Sequence, residues 1–391
     1  MTQHIGIHDI AFATGHYALD LADLARVHGV AVDKFRIGLG QQVQTVAAPD
    51  EDIVTLATAA GQQILARHGS DGIQTILLAT ESGIDASKAA AIYVQDLLGL
   101  PNAVRAVELK QACYGGTAAL HLAAALVARD PNQRVLVIAS DVAAYDLDSG
   151  GEATQGAAAV AMLVTADPAV AVLDPVSGLF TSNVMDFWRP TYRSTPRVDG
   201  KLSVAIYLDA VEHAWKDYEA RGGHRYTDFG AFCYHQPFTR MAYKAHSRLL
   251  EINGCAATPQ QLDADLLATT HYNRMIGNSY TASLYLGLMS LLDHTDDLTG
   301  KPVAMLSYGS GCVAEFFSVT PVSGYREHLR AEANRAALAD RRPISYDRYR
   351  ALRESAQTGA GGDVEFDAVT TSGFRLSAVT DDKRIYQPVA R

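Results

Sequence analysis

Cys113 is the first residue whose type and position could support covalent chemistry. It stands between an apolar segment and a helical run of small apolar residues, and Gly115 and Gly116 follow it closely. Glycines let a ligand approach the backbone, and a helix N-terminus lowers a thiol pKa and offers free backbone N–H groups. The pattern predicts a nucleophilic thiol beside half an oxyanion hole. A small buried cysteine at a tight turn is the alternative.

Three polar residues follow apolar or turn segments in a way that could place them beside that thiol. Glu81 ends an apolar strand, where partial burial would raise its pKa and suit it to act as a general base. His235 ends another apolar strand, and Asn278 precedes a helix of small apolar residues. The alternatives are a helix cap for Glu81 and Asn278 and a core histidine for His235.

Two glycine turns and one basic cluster complete the candidate set. Gly150–Gly151 and Gly309–Ser310–Gly311 could supply backbone donors, and neither matches a dinucleotide or ATP loop. Arg240, Lys244 and His246 follow His235 at spacings that we interpret as one helix face. This cluster suits a phosphate group, although a solvated basic face is the commoner explanation.

The elements that must position these residues are apolar strands alternating with helices, which predicts an α/β fold with helices on both faces of a sheet. The strand candidates are 75–79, 104–109, 134–140 and 157–164. The order of special turns in the first half recurs in the second, which predicts a duplicated fold with pseudo-two-fold symmetry. We divide the chain into 1–170 and 171–391, with an insertion at about 177–227. The symmetry would bring the four candidate residues to one cleft.

Composition sets limits on compartment and partners. Apolar residues make up 48% and charged residues 19%, and the net charge of −10 argues against nucleic acid as a partner. No signal peptide is visible and no apolar run could span a membrane. The four cysteines are too few for a disulfide framework, which favours a reducing cytoplasm. The histidine spacing predicts no metal site.

Taken together, these segments resemble the 3-hydroxy-3-methylglutaryl-CoA synthases, within the thiolase-like condensing enzymes. The resemblance covers nearly the whole chain and implies a thiolase-like fold of two αβαβα-layered halves. The matching segments are 38–41, 79–82, 111–114, 149–157, 186–190, 198–203, 272–274 with 277–278, and 307–311.

The resemblance also implies roles for individual residues. The nucleophile of the family falls on Cys113, its general acid/base on Glu81, and its acetoacetyl-orienting histidine on His235. Its helper asparagine falls on Asn278, and the positions near the acyl chain in relatives fall on Tyr145, Thr154, Tyr207 and Ser310. Gly309, Arg240 and Lys244 are the further candidate contacts to substrate. Arg240 and Tyr243 depart from the residues that bacterial relatives tend to have, but the positive charge at Arg240 and Lys244 is retained.

The implied activity is condensation of acetyl-CoA with acetoacetyl-CoA through an acetyl-Cys113 intermediate, in the mevalonate branch of isoprenoid synthesis. The family implies CoA thioesters as substrates, no metal or redox cofactor, and a homodimer. Two alternatives stay open. One is a polyketide β-branching synthase that uses acyl-carrier-protein thioesters, and the other is an inactive protein that only binds acyl-CoA or serves as a scaffold.

Overall fold

The computed structural model describes residues 4–358 and 362–389. Its strands are β1 Ile5–Thr14, β2 Tyr17–Asp20, β3 Val43–Val46, β4 Ile73–Ala79, β5 Arg105–Leu109, β6 Arg134–Val142, β7 Ala157–Ala166, β8 Ala171–Leu173, β9 Gly178–Thr181, β10 Phe187–Trp188, β11 Arg197–Val198, β12 Ala231–Tyr234, β13 Val303–Gly309, β14 Val313–Pro321, β15 Arg342–Pro343, β16 Val364–Glu365, β17 Phe374–Thr380 and β18 Lys383–Pro388. Its α-helices are α1 Leu21–Val27, α2 Asp33–Arg36, α3 Ile53–His68, α4 Ala90–Leu97, α5 Gly115–Arg129, α6 Gly200–Ala220, α7 Arg240–Ile252, α8 Pro259–Ile276, α9 Ser283–His294, α10 Ala331–Ala339 and α11 Tyr346–Thr358.

A mixed sheet runs through the molecule in the order β12-β13-β14-β8-β1-β7-β6-β4-β5, with β9 also paired to β14. The predicted strands are confirmed as β4, β5, β6 and β7, each with bounds within two residues of the prediction. The α/β fold class is therefore confirmed.

The duplication predicted from the turns is visible in the strand pairing. The first half runs β4-β6-β7-β1 with parallel, antiparallel and antiparallel pairs. The second half runs β12-β13-β14-β8 with the same sequence of pairs. The two units join where β1 pairs antiparallel with β8. Helix α5 follows a strained residue, Ala112, at φ 45°, and α9 follows Tyr280, also at φ 45° and at the same distance before the helix.

Three hydrophobic cores lie between the five layers of the αβαβα arrangement. The alternation of side chains along each strand explains which core each residue enters. On β6, Val135 and Val137 face a central core that contains α5, α9 and strands of both halves. Leu136 and Ile138 point the other way, toward the core under α3 and α4. In the second half, β12–β14 turn their outer side chains to a third core under α6 and α7. Because successive side chains on a strand point to opposite faces, a strand covered on both faces must be apolar throughout.

The segment 177–227 forms β9–β11 and the long helix α6. Asp199 caps α6 by accepting from the Leu202 backbone N–H at 3.0 Å. Buried Asp186 accepts from the Tyr308 hydroxyl at 2.8 Å and from the Gly311 N–H at 2.9 Å, which ties this segment to the glycine turn after β13. The division at residue 170 and the insertion stay predictions.

One expectation about the basic cluster is wrong. His246 does not share a face with Arg240 and Lys244: it is fully buried and lies 2.9 Å from the Tyr234 hydroxyl. Six positions along a helix correspond to about 600° of rotation, which turns His246 away from Arg240. All four cysteines are free. Among the described residues, no helix combines the length and the apolarity needed to cross a membrane.

Candidate active site

Cys113 lies in the tight turn between β5 and α5. Ala112 takes the left-handed conformation, and Tyr114 precedes the first residue of the helix, so the thiol lies just before the helix N-terminus. Gly309 packs against this turn so closely that a Cβ there would stand 2.7 Å from the Tyr114 nitrogen. A glycine is required at 309 because the turn of one half presses on the strand end of the other.

Glu81 contacts the thiol directly. The Cys113 Sγ–Glu81 Oε2 distance is 3.6 Å, within hydrogen-bonding range for sulfur. Burial and the nearby Asp141 raise the pKa of Glu81 well above its usual value, as predicted for a carboxylate at this position. Burial, followed by the Glu81 and Asp141 carboxylates, also raises the pKa of Cys113 well above its usual value.

The direction of the Cys113 shift corrects the sequence prediction, which expected the helix N-terminus to lower the pKa. Burial of the thiol, and then its contact with the Glu81 carboxyl group, raise the Cys113 pKa more than the helix dipole lowers it. Cys113 is therefore a thiol whose proton has an adjacent acceptor.

Asp141 is a site residue that sequence reasoning missed. Its fully buried carboxylate accepts bonds from the Glu81 N–H at 2.9 Å and the Thr281 N–H at 3.0 Å. It also accepts from the hydroxyls of Thr80, Ser82 and Thr281. One carboxylate thus links the loop after β4 to the turn before α9 in the other half. The available signal was a polar residue near the end of apolar β6, the same signal that pointed to Glu81.

His235 is buried just after β12, and neither of its ring nitrogens has a hydrogen-bond partner among the described residues. Burial lowers its pKa to about 3, so the ring is neutral at physiological pH. The Tyr207 hydroxyl donates to the His235 carbonyl at 2.7 Å and fixes the backbone there. A buried neutral imidazole with free nitrogens can donate one hydrogen bond and accept another from a ligand.

Tyr145, Thr154 and Asn278 form a connected group beside Cys113. The Tyr145 side chain lies beside Asn278 and packs with Tyr280 in a cluster that also touches the Cys113 side chain. The Asn278 N–H donates to the Thr154 carbonyl at 2.8 Å. The Asn278 side chain accepts from the Tyr280 N–H at 2.9 Å. Asn278 is therefore a local cap and a neighbour of Tyr145 at once.

An open cavity of about 1360 Å³ has Glu81 and Ser310 in its wall. The cationic residues that line it are Lys88, Lys110 and Arg189. Arg240 and Lys244 are not among the described residues that line this cavity. They lie on α7, where Arg240 stacks on the Tyr243 ring at 4.3 Å. The structure therefore places the predicted basic patch apart from this opening.

His28, Asp148 and Glu152 bring their ligand atoms within 4.8 Å of one another, an arrangement that the histidine spacing did not suggest. Asp148 is already paired with Arg350 at 3.0 Å, and this guanidinium would repel a cation at the same carboxylate. The expectation of no metal site stays a prediction.

The family models for hydroxymethylglutaryl-coenzyme A synthase match this chain along most of its length. The N-terminal model matches residues 1–169, and the C-terminal model matches residues 171–270 and 251–352. The chain belongs to the hydroxymethylglutaryl-CoA synthase family. Hydroxymethylglutaryl-CoA synthase of Enterococcus faecalis is 40% identical over 386 residues, which cover 98% of this chain and 99% of that protein.

Solved structures of hydroxymethylglutaryl-CoA synthases have the same fold. A synthase complexed with CoA superposes with a TM-score of 0.93 at 40% identity, covering 99% of this chain and 100% of the other. The curacin-pathway synthase in complex with an acetyl donor carrier protein gives a TM-score of 0.92 at 31% identity, with the same coverage. The thiolase-like fold inferred from the resemblance is therefore confirmed.

Proposed function

We propose that this member of the hydroxymethylglutaryl-CoA synthase family condenses acetyl-CoA with acetoacetyl-CoA and water to give 3-hydroxy-3-methylglutaryl-CoA and CoA. The observation that carries the proposal is the 3.6 Å contact between the Cys113 thiol and the Glu81 carboxylate. The CoA substrate is favoured over a carrier protein because the Enterococcus faecalis synthase is 40% identical. The polyketide 3-hydroxy-3-methylglutaryl-ACP synthase of Bacillus subtilis is 32% identical.

In the first step, Cys113 attacks the acetyl-CoA carbonyl and CoA leaves as its thiol. Because the pKa of Cys113 is raised, its proton must move to an acceptor as the sulfur attacks. Glu81 is in contact with the sulfur and has a raised pKa, so it accepts that proton readily and can pass it to the departing CoA sulfur. The products are acetyl-Cys113 and free CoA.

In the second step, Glu81 removes a methyl proton from acetyl-Cys113, and the resulting carbanion attacks the ketone of acetoacetyl-CoA. His235, neutral and unpartnered, donates a hydrogen bond to the ketone oxygen as negative charge develops there. Glu81 then returns the abstracted proton to the new alkoxide. Water hydrolyses the Cys113 thioester, which releases the product as its carboxylic acid and regenerates the Cys113 thiol. These steps balance without a metal or redox cofactor, which we propose the enzyme does not need.

The remaining substrate contacts follow from position. Tyr145, Asn278 and Thr154 surround the acyl group on Cys113, and Tyr207 holds His235. Gly309 and Ser310 bound the acyl site from the other half. We keep Arg240 and Lys244 as proposed phosphate contacts by charge, although the opening beside Glu81 is lined by Lys88, Lys110 and Arg189 instead.

We also propose a cytoplasmic homodimer. Strand β5 pairs only with β4 in the described chain, and Val107 on this edge is 39% exposed. An unpaired edge with an exposed apolar side chain is a natural site for pairing with a second copy. Sedimentation of the purified protein tests this proposal, with a monomer as the contradicting result.

The test of the reaction is release of free CoA from acetyl-CoA plus acetoacetyl-CoA, with mass spectrometry of the Cys113 peptide after exposure to acetyl-CoA alone. Acetylation with condensation supports the proposal. Binding without acetylation indicates the inactive acyl-CoA-binding alternative. Faster condensation on acetoacetyl carrier protein than on acetoacetyl-CoA indicates the polyketide alternative.

A further inference from the structure

Helix α11 contacts the wall of the acyl site, although it was not predicted to do so. Arg353 lies just beyond residue 352, where the match to the C-terminal family model ends. Its guanidinium donates to the Tyr145 carbonyl at 2.9 Å and also bonds the side-chain oxygen of Gln155. Arg353 on α11 therefore fixes the backbone of Tyr145, whose side chain packs beside Cys113.

Gln155 is the centre of this contact. Its buried amide oxygen accepts from the Tyr145 N–H at 2.7 Å as well as from Arg353. Its amide nitrogen donates to the Tyr349 hydroxyl at 2.7 Å and to the Glu152 carbonyl at 3.1 Å. Each donor and acceptor of this side chain is used, so its position is fixed from α11 on one side and from the Tyr145 loop on the other.

The loop 145–155 in turn contacts the reacting groups. Tyr145 lies beside Asn278 and packs in the cluster that touches Cys113. Gln155 is bridged to Asn278 through the backbone. A displacement of this loop would therefore move the Tyr145 ring and the Asn278 side chain together, and would admit water to the thiol.

We infer that Arg353 and Gln155 are positioning residues for the acyl site, and that α11 keeps Tyr145 and Asn278 packed around the group carried by Cys113. The fork of the guanidinium matters because it bonds a carbonyl and an amide oxygen at the same time, which a lysine cannot do. The inference rests on the proposed function. Its test therefore includes a measurement on Cys113 that needs no turnover.

The decisive variant is Arg353→Met, compared with Arg353→Lys and with Arg350→Met as the matched control. Arg350 also joins α11 to this loop, through Asp148 at 3.0 Å, but it bonds neither Tyr145 nor Gln155. Small misplacement of reacting groups lowers rates steeply, so we expect Arg353→Met to lower kcat on the order of tenfold with KM changed less than about twofold. Arg353→Lys should fall between wild type and Arg353→Met, and Arg350→Met should match wild type.

The second measurement is the pH dependence of Cys113 alkylation by iodoacetamide, followed by mass spectrometry of the Cys113 peptide below the melting temperature. Burial is the main cause of the raised Cys113 pKa, with Glu81 and Asp141 as the charged neighbours. Water admitted by a loosened loop should move the alkylation midpoint to lower pH in Arg353→Met.

A lower melting temperature for Arg353→Met with unchanged kcat and alkylation midpoint would overturn the inference, because that is the result of a purely structural contact. Equal shifts in Arg353→Met and Arg350→Met would also overturn it. If Arg353→Met does not fold, Tyr349→Phe removes one Gln155 contact while it keeps the buried ring, and the same midpoint shift, smaller in size, is expected. Absence of synthase activity in wild type would contradict the proposed function and leave the alkylation test intact.

Discussion

At the end of β4 the first half places Glu81 against the Cys113 thiol. At the end of β12 the second half places His235, whose ring nitrogens have no hydrogen-bond partner within the described part of the chain. The two strands hold equivalent places in the duplicated sheet. Cys113 follows the strained Ala112 and Thr281 follows the strained Tyr280. One half therefore contributes a thiol in contact with a carboxyl group, and the other contributes a neutral imidazole. A duplicated framework can thus hold two different chemistries, because the residue at each strand end changes without changing the strand.

The largest effect should come from the half that carries the nucleophile. We expect Cys113→Ala to lower the rate of CoA release by at least about 10⁴-fold, because covalent catalysis is lost together with its nucleophile. Steady-state assays and the acetylated-peptide mass should both report the loss. The exposed Cys255→Ala is the control and should behave as wild type. Equal activity of Cys113→Ala and wild type would contradict a mechanism that passes through acetyl-Cys113.

A smaller effect should come from the acid–base partner. Glu81→Gln removes the charge but keeps the shape. We expect condensation to slow about 10³-fold, whereas acetylation of Cys113, which loses only its proton acceptor, should slow less and still reach completion. In wild type, kcat/KM should rise with pH through the raised pKa of Glu81, since only the carboxylate can accept a proton. This increase of kcat/KM with pH should be absent in Glu81→Gln. Acetylation that slows as much as condensation would instead make the first step the main role of Glu81.

The link between the halves can be broken at Asp141. In Asp141→Asn an N–H₂ group replaces one carboxylate oxygen, either Oδ1, which accepts from the Glu81 and Ser82 N–H groups, or Oδ2, which accepts from the Thr281 N–H. In either orientation donor faces donor, so we expect activity to fall about 10- to 100-fold. Thr281→Val removes one hydroxyl donor to the same carboxylate and should cost only a few-fold. Measurement of kcat for both variants shows which loss is larger, and we expect the larger loss in Asp141→Asn. The reverse order would show that Thr281 contributes more than its bond to Asp141.

The smallest effect concerns the pH dependence of folding stability that His235 causes. Its pKa is lowered to about 3 by burial, whereas an unfolded histidine has a pKa near 6.5. Below pH 6.5 the unfolded state binds a proton that the folded state does not, so stability falls as the pH drops from 6.5 toward 3. We expect about 2 kcal/mol to be lost between pH 7 and pH 5 through this residue. Urea unfolding of wild type and His235→Asn at both values measures the difference, and an identical pH response in both would falsify the assignment.

Much of the fold could be predicted from short-range patterns. Apolar runs located β4 to β7, and the repeated turns indicated the duplication, because strand and turn preferences act over a few residues. The same rule indicated Glu81, Cys113 and His235, since a polar residue at the end of a buried strand stands out. Asp141 fits that rule and was overlooked, whereas Arg353 lies within an ordinary polar helix and gave no signal.

The amino-acid sequence by itself determined which side chains stand at the strand ends and which residue types could carry an acyl group. Three features depend on the tertiary structure. They are the raised pKa of Cys113, the lack of hydrogen-bond partners for the His235 ring nitrogens among the described residues, and the hydrogen bond from Arg353 to the Tyr145 carbonyl. A pKa depends on every charge and on the burial around a group, and a hydrogen bond between residues 145 and 353 depends on the packing of the segments between them. Neither quantity is contained in a local pattern of residues.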